Sequence, residues 1–393
     1  SMDGELMRVL ELIFSFQLGD KGGGITRFGV ELSKALRHQG FEVYLCGLFG
    51  AGTGVEEKLL AQLCNEGVPS FYASKWNERN PYYSFYKAVQ NLWHWQSAYH
   101  AQIIHSHSEF SDVAAIILKF HPSRPIIVRT VHGGFQEWRK RPWRRWLLTN
   151  LTYPMVFNLE IGVSQAITDR LNKRALAQIL KRQALCIYNA IDLNKFQEKI
   201  DKIQKRSAIG VPHDAMLIGT VGRLSPEKGF HILIKAVPKV LSEFPGAYFL
   251  IVGGGELHES LWGQAAALGV AHRVIFAGPR LDVEEILACL DLFVSSSLWE
   301  GLPTAILESM AAGVPVVATD IPGTREVIQN GYNGWLVPPG DDCALANAII
   351  EALKRRDLRE QFAKRSLEIV RLFSIDSIVD KYINIFLSLL NSP

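Results

Sequence analysis

One short segment constrains this chain more than any other: residues 299–308, which read Trp-Glu-Gly-Leu-Pro-Thr-Ala-Ile-Leu-Glu. Proline is tolerated in the first turn of a helix, where its missing N–H costs nothing, and good helix formers follow Pro303. The pattern therefore predicts that Glu300 and Gly301 lie in a loop and that Glu308 lies inside the next helix. Free N–H groups at such a helix start bind anions or hydroxyl oxygens. Glu308 could accept hydrogen bonds from a ribose diol, as the acid of a dinucleotide-binding fold does.

Short apolar runs alternate with helical patterns along both halves of the chain. Such βα repetition implies parallel sheets covered by helices, so we predict an α/β fold. The predicted strands are 8–14, 42–45, 103–106, 126–130, 161–164, 184–188, 217–221, 248–252, 274–276, 292–294 and 314–317. The predicted helices are 26–38, 229–243, 257–268, 283–290, 302–312 and a terminal helix at 375–390.

Length and composition indicate a soluble two-domain protein. The chain has 393 residues, of which 48% are apolar and 21% charged, and its net charge of +3 is too small to indicate nucleic acid. Five scattered cysteines without a CxxC pattern fit reduced thiols. The opening residues lack a signal-peptide pattern and no apolar run is long enough to span a bilayer, so we expect a cytoplasmic protein. The polar stretch 189–206 marks the expected junction between an N-terminal domain, 1–190, and a C-terminal domain, 191–374.

The loop 222–229 carries two cations, Arg223 and Lys228, directly after a predicted strand. Ligands of open α/β sheets bind beyond the carboxyl ends of strands, and two cations there suit a diphosphate. The alternative is a solvated loop with two surface charges. The neighbouring glycines and the pair Glu300 and Glu308 favour the diphosphate.

A glycine run, 22–24, lies between the first predicted strand and its helix. Glycines let backbone N–H groups approach a phosphate closely, but this run lacks the full G-x-G-x-x-G pattern and a plain tight turn is an equal alternative.

Three histidines follow apolar strands: His105, His107 and His132. The spacing of the first two could suit a metal, but no neighbouring cysteine or carboxylate pattern completes a site, so we expect no metal. His132 precedes two glycines and is the better functional candidate, although each could be an ordinary hydrogen-bonded histidine. Ser164 lacks a nucleophile elbow, and nothing supports nucleophilic catalysis.

Taken together, the motifs resemble those of the retaining glycosyltransferases of family 4. The resemblance rests on 222–229, 252–255, 276–278, 300–308, 311–318 and 333–341 in the second half, and on Gly23-Gly24, 130–132, 163–164 and 188–192 in the first. Two departures are Ala190, where relatives usually carry Gly, and Leu302-Pro303, where many carry Phe-Gly.

The resemblance implies a GT-B fold, in which two Rossmann-like domains with parallel sheets face an interdomain cleft. The C-terminal helix, 375–393, would pack back on the N-terminal, acceptor-side domain, and 191–374 would bind the nucleotide sugar. The implied catalytic residues are Arg223, Lys228, Glu300 and His132. The implied donor-binding residues are Gly23, Gly24, Arg280, Gly301, Leu302, Pro303, Thr304 and Glu308. Relatives need no metal or other cofactor.

The function implied is retaining transfer of a hexose, with glucose from UDP-glucose as the best guess, to a saccharide or lipid-linked hydroxyl acceptor in polysaccharide or glycolipid synthesis. Two alternatives stay open: a nucleotide-sugar epimerase of the same fold, and a non-catalytic two-lobed protein that binds a sugar or nucleotide.

Residues 137–151 crowd tryptophans and cations together, and Pro142 can open a helix there. Tryptophan beside arginine is typical of an interfacial helix, which predicts peripheral contact with anionic lipid at the inner face of the membrane. The alternative is that Trp143 and Trp146 pack into the domain while Arg144 and Arg145 face water.

Overall fold

The computed structural model describes residues 7–16, 23–133 and 142–391. The chain forms two compact units: Ser1–Ala190 together with Ile375–Pro393, and Ile191–Ser374. Each unit is described by itself below.

The first unit contains a seven-stranded parallel sheet with the strand order β3-β2-β1-β4-β5-β6-β7. Its strands are β1 Arg8–Ile13, β2 Glu42–Gly50, β3 Ser70–Lys75, β4 Ile103–Ser106, β5 Ile126–Val131, β6 Leu159–Gly162 and β7 Leu185–Cys186. Its helices are α1 Gly23–His38, α2 Gly54–Asn65, α3 Pro81–Tyr99, α4 Glu109–Lys119, α5 Pro142–Leu147, α6 Tyr153–Val156, α7 Gln165–Asn172 and α8 Ala175–Ile179, with a π-helical turn at Leu148–Thr152.

The second unit contains a six-stranded parallel sheet with the strand order β10-β9-β8-β11-β12-β13. Its strands are β8 Leu217–Val221, β9 Tyr248–Val252, β10 Val274–Gly278, β11 Leu292–Ser295, β12 Val316–Thr319 and β13 Trp335–Val337. Its helices are α9 Lys202–Ala208, α10 Phe230–Glu243, α11 His258–Ala267, α12 Val283–Ala288, α13 Thr304–Ala311, α14 Pro322–Arg325, α15 Asp342–Lys354 and α16 Arg356–Ile369. Short 3₁₀ turns lie at Leu193–Phe196, Pro226–Lys228, Ala271–Arg273 and Val370–Phe373. The last helix, α17 Ile375–Leu390, belongs to the first unit.

The predicted α/β class with two parallel sheets is confirmed. Central strands such as β8 and β11 are buried over most of their length, because helices cover both faces of a parallel sheet. In each sheet the strand order reverses at one point: between β1 and β4, and between β8 and β11. Ligands of open α/β folds bind at such reversal points, outside the carboxyl ends of the strands.

Several elements differ from the sequence prediction. Neither β3 nor α3 was predicted, because β3 is a short edge strand with polar residues and α3 mixes aromatic and polar residues without a clear apolar stripe. Strand β12 starts after Pro315, not at Val314, since proline cannot donate to a strand ladder. Helix α13 starts at Thr304 with Pro303 at its N-cap.

The helix α17 completes the core of the first unit. Its side chains Tyr382 and Phe386 are fully buried and pack with Phe28 and Leu32 of α1. The Tyr382 hydroxyl lies 3.0 Å from Thr130 Oγ1 on β5. Among the helices described, none is long and apolar enough to cross a membrane.

Candidate functional site

The loop that follows β8 is braced by an acidic side chain. Glu227 Oε1 accepts hydrogen bonds from Arg223 Nη2 at 2.6 Å and from Ser225 Oγ at 2.7 Å. Burial raises the pKa of Glu227, but these hydrogen bonds and the Arg223 charge outweigh it and lower the pKa below its ordinary value. The loop therefore holds its first cation in place through an ionised carboxylate.

A second loop, after β11, is joined to the first through backbone contacts. Leu298 N donates to Glu227 O at 2.7 Å, and Ser296 Oγ donates to Lys228 O at 3.0 Å. Gly229 has a φ of +63°, and a Cβ there would lie 2.1 Å from Ser296 O. Only glycine fits this close approach in the left-handed conformation.

The predicted cation and the first predicted glutamate meet between these loops. Lys228 Nζ forms an ion pair with Glu300 Oε1, and Ser297 Oγ donates to the same carboxylate at 2.8 Å. The Lys228 and Glu300 side chains are 22% and 13% exposed, so both keep some access to solvent. Ser297, the third member of this group, was not predicted from the sequence.

The second predicted glutamate, Glu308, lies in the second turn of α13 and is 8% exposed. Gly301, Leu302 and Pro303 are buried ahead of that helix, and Thr304 begins it. A Cβ on Gly323 would lie 2.5 Å from Gly301 O, so α14 also abuts this loop. The structure therefore places 300–308 at the carboxyl end of β11, beside the loop of Arg223 and Lys228.

Arg280 follows β10 and is engaged within its own loop. Its Nε and Nη2 donate to Asp282 at 2.8 and 2.6 Å, and Lys205 also pairs with Asp282. The Arg280 hydrogen bonds hold the pKa of Asp282 well below its ordinary value. Arg280 would have to share or leave this carboxylate to contact a nucleotide base.

In the first unit, the described part of the glycine run opens α1: Gly23 and Gly24 are its first two residues, and Gly22 lies outside the described residues. One turn further along α1, Phe28 packs edge-on against His132, with ring centroids 5.1 Å apart. Thr26 Oγ1 donates to Ser15 O at 2.9 Å and ties the helix start to the chain after β1.

A buried cluster links His132 to β1 and β4. His107 Nδ1 lies 3.0 Å from His132 Nε2, and His107 Nε2 lies 2.6 Å from Glu11 Oε2. His105 Nδ1 lies 2.9 Å from the same carboxylate oxygen, and His105 Nε2 lies 2.7 Å from Thr130 Oγ1. Our expectation that no carboxylate joins the His-x-His pair is wrong, because parallel pairing of β1 with β4 brings in Glu11. A charged residue inside the apolar run Val9–Ile13 was the available signal.

Glu11, His105 and His107 together offer three ligand atoms that a metal ion could share. The nitrogens, however, lie 2.6 and 2.9 Å from one carboxylate oxygen, which are hydrogen-bond separations. An ion at about 2.0–2.2 Å from each ligand would push these atoms further apart. The geometry is that of a hydrogen-bonded network.

The pKa values in this cluster follow from burial and from one ionised carboxylate. Burial raises the pKa of Glu11, but the charges and hydrogen bonds of His105 and His107 outweigh it and hold the pKa at about 2. Burial, followed by the effect of His105, lowers the pKa of His107 to about 4. Burial and the neighbouring histidines lower the pKa of His132 well below its ordinary value. At neutral pH, Glu11 is ionised while His107 and His132 are neutral.

As predicted, a helix begins at Pro142 within the aromatic and cationic stretch 137–151. Residues 134–141 lie outside the described ranges. Trp143 and Trp146 are 59% and 58% exposed, so the alternative that they pack into the domain is wrong. Further apolar side chains along the same segment are also exposed: Leu147, Leu151 and Met155. Arg144 stacks on the Trp143 ring, 5.3 Å from its centroid.

Sequence comparison assigns each half to a known family model. The model described as Glycosyltransferase Family 4 matches residues 22–195, and that described as Glycosyl transferases group 1 matches residues 201–368.

Among curated proteins, the lipopolysaccharide core biosynthesis glycosyltransferase LpsE of Rhizobium meliloti is 39% identical over 184 residues, which are 47% of this chain and 53% of LpsE. The chain thus spans about half the length of this relative. The UDP-Gal:alpha-D-GlcNAc-diphosphoundecaprenol alpha-1,3-galactosyltransferase of Escherichia coli is 27% identical over 302 residues, covering 73% of this chain and 75% of the enzyme.

Solved structures match nearly the whole chain. Anabaena HepE in complex with UDP-glucose has a TM-score of 0.79 at 25% identity, covering 97% of this chain and 100% of HepE. Sucrose-phosphate synthase of Thermosynechococcus elongatus has a TM-score of 0.81 at 19% identity, covering 98% of this chain and 99% of that one.

The fold and the loops at the reversal point of the second sheet define an α/β protein of the GT-B class. More specifically, the chain belongs to the family 4 glycosyltransferases.

Proposed function

We propose that this protein transfers a hexose from a nucleotide diphosphate sugar to a hydroxyl acceptor, with retention of the anomeric configuration. The observation that carries the proposal is the group at the carboxyl ends of β8 and β11, where Arg223, Lys228 and Glu300 lie on two loops that are hydrogen-bonded to each other. Family membership supports it.

The chemistry assigned to the cations is stabilisation of the leaving group. As the bond between the anomeric carbon and the β-phosphate oxygen breaks, negative charge collects on the diphosphate, and Arg223 and Lys228 receive it. The acceptor oxygen bonds to the anomeric carbon on the same face, and its proton passes to the departing phosphate. No pair of carboxylates flanking the bond is then required.

The ion pair of Lys228 with Glu300 joins the proposed diphosphate-binding and sugar-binding side chains. If Lys228 turns to the diphosphate, Glu300 is left with Ser297 and can accept hydrogen bonds from hydroxyl groups of the donor sugar. Glu308, near the start of α13, is proposed to hold the ribose. The second unit would then hold the nucleotide and supply most of the groups that contact the donor sugar.

We propose UDP-glucose as the donor and a lipid-linked or saccharide acceptor, and we propose that no metal is needed. HepE was solved with UDP-glucose, and the Escherichia coli relative is named for UDP-Gal and a diphosphoundecaprenol acceptor. Two cations beside the phosphate site would supply the charge that a divalent ion provides elsewhere. The exposed tryptophans of α5 suit an acceptor held at a membrane surface.

The test is a panel of UDP-glucose, UDP-galactose and GDP-mannose, each incubated with and without excess chelator. Thermal shift identifies the donor that binds, because binding raises apparent stability. We expect nucleotide release that depends on an added acceptor and persists in chelator. Epimerised sugar would favour the epimerase instead, and binding without any turnover would favour the non-catalytic alternative. Activity that chelator abolishes and a divalent ion restores would contradict metal independence.

A further inference from the structure

In the buried cluster next to His132, the hydrogen-bond donors and acceptors decide which ring nitrogens of His107 and His132 carry a hydrogen atom. Glu11 is fully buried and ionised, so it can only accept, and His107 Nε2, 2.6 Å away, must carry a proton. A neutral His107 then has a lone pair on Nδ1, which faces His132 Nε2 at 3.0 Å. For that contact to be a hydrogen bond, His132 Nε2 must carry the proton and His132 Nδ1 must be bare.

The Asn189 side chain also lies near the His132 ring. Among the described residues, His132 Nδ1 and Asn189 Oδ1 are both buried without a hydrogen-bond partner, although the Asn189 side chain lies close enough to affect the His132 pKa. The oxygen and nitrogen of an asparagine amide exchange places on a half-turn of the side chain. With the amide nitrogen toward the ring, Asn189 can donate to His132 Nδ1, which then has a hydrogen-bond partner.

We propose that Glu11 and His107 are positioning residues that hold His132 as the neutral Nε2–H tautomer, with its Nδ1 accepting from the side-chain amide of Asn189. Only the effect of this tautomer on catalysis rests on the proposed function. Both ring nitrogens of His132 are then occupied by protein groups. His132 therefore shapes and polarises its site but neither takes up nor releases a proton there.

In a competing arrangement, the hydrogen bond between the two histidines is reversed, so that His107 donates and His132 accepts. In it His107 carries protons on both nitrogens, His132 accepts at Nε2, and His132 Nδ1–H donates to Asn189 Oδ1. It places a cationic His107 in a fully buried position, where burial and His105 oppose that charge. The two arrangements differ in which nitrogen of His132 bears hydrogen, and this can be measured.

The experiment is nitrogen NMR on the full chain labelled with ¹⁵N-histidine, with the His132 signals assigned by their loss in His132→Gln. We expect a protonated Nε2 and an unprotonated Nδ1 that do not titrate between roughly pH 5.5 and 8. His107→Phe should change the His132 pattern, because the only described acceptor of its Nε2–H is gone. His107→Asn, whose side-chain oxygen can take the place of Nδ1, should restore it.

The matched control is His105→Phe. His105 and His107 are both fully buried and both contact Glu11, but only His107 contacts His132. His105→Phe should leave the His132 tautomer as in the wild type. A wild-type His132 protonated at Nδ1 would overturn the proposal. So would a His132 pattern that His107→Phe leaves unchanged, or one that His105→Phe changes equally.

The catalytic consequence is measured separately. If the wild type transfers sugar, His107→Phe should lower turnover by roughly tenfold or more, since displacement of a site group by about 1 Å can cost 10²-fold. Affinity for free UDP should stay the same, because Glu308, the residue proposed to hold the ribose, lies in the second unit. A protein without transferase activity would contradict the proposed function, whereas the NMR result would still decide the tautomer.

Discussion

At the scale of single residues, Arg223 and Lys228 are the most direct test of the mechanism. Arg223→Ala and Lys228→Ala should each lower turnover about 10²–10³-fold, with a smaller effect on donor affinity, because their charge stabilises the leaving diphosphate. Steady-state kinetics with the donor found in the panel measures this. Lys239→Ala, which removes an exposed cation from α10, is the control. Near-normal turnover in both site variants would refute leaving-group stabilisation by this loop.

Glu308 belongs to the nucleotide part of the same site. Glu308→Ala should weaken binding of free UDP by roughly 1.5–3 kcal/mol, the usual worth of hydrogen bonds to a charged acceptor. Titration calorimetry measures the affinity, and Glu259→Ala on α11 is an exposed control. Unchanged affinity in Glu308→Ala would show that another group holds the ribose.

At the scale of elements, the contact between the β8 and β11 loops depends on one glycine. Gly229→Ala places a Cβ against Ser296 O, so we expect a large loss of stability and weaker donor binding. Gly269 is the matched control: its φ of +71° is similar, but a Cβ there meets no described atom within 4 Å. Gly269→Ala should cost only the left-handed strain of about 1–2 kcal/mol. Equal losses of unfolding free energy in the two variants would contradict a steric role for Gly229.

The histidine cluster joins strands β1, β4 and β5, and it should make the first unit sensitive to acid. The pKa of His107 falls from 6.5 in the unfolded chain to about 4 in the folded protein. The unfolded state therefore binds the proton first, and the stabilisation is complete above pH 6.5 and lost as the pH falls towards 4. Each unit of pKa shift is worth about 1.4 kcal/mol. The pKa of Glu11 shifts from 4.5 to about 2, so its contribution is lost only at lower pH.

Urea unfolding at pH 7 and pH 5, followed by hydrogen exchange in each unit, measures this effect. The wild type should lose more unfolding free energy between these pH values than His107→Phe does. The same pH dependence in both proteins would show that His107 titrates normally when folded.

At the scale of the whole molecule, the exposed face of α5 is expected to bring the protein to anionic lipid. Trp143 and Trp146 project from one side of the helix, and Arg144 lies over the Trp143 ring. The Arg145 side chain is 15% exposed and its Nε lies 3.9 Å from Glu109 Oε1, so Arg144 is the better cation to change. We expect the wild type to pellet with anionic vesicles, less so with neutral vesicles and at high salt.

Arg144→Glu and Trp146→Ser should each reduce pelleting with anionic vesicles. Trp262→Ser is the matched control, since Trp262 in the second unit is 56% exposed. Absence of wild-type pelleting, or equal loss in the control, would leave a soluble acceptor as the better proposal.

Local sequence patterns were enough to predict the α/β class and the elements that carry the candidate site of the second unit. Apolar runs that end in glycine mark buried parallel strands whatever their neighbours are, so β8 and β9 were predicted with the bounds that the structure shows. The loop residues Arg223, Lys228, Glu300 and Glu308 were recognisable for a similar reason, because each lies a fixed few residues from a strand end or helix start.

The contacts that these residues make depend on the three-dimensional fold. Glu11 and His107 are 96 residues apart, and no local pattern predicts that parallel strands bring Glu11 Oε2 and His107 Nε2 to 2.6 Å from each other. The ion pair of Lys228 with Glu300 spans 72 residues in the same way. Nor could periodicity tell whether the tryptophans of α5 face the core or the solvent, because an apolar stripe is the same in both cases. Local chemistry is encoded by spacing along the chain, whereas strand order and register decide which distant groups become neighbours.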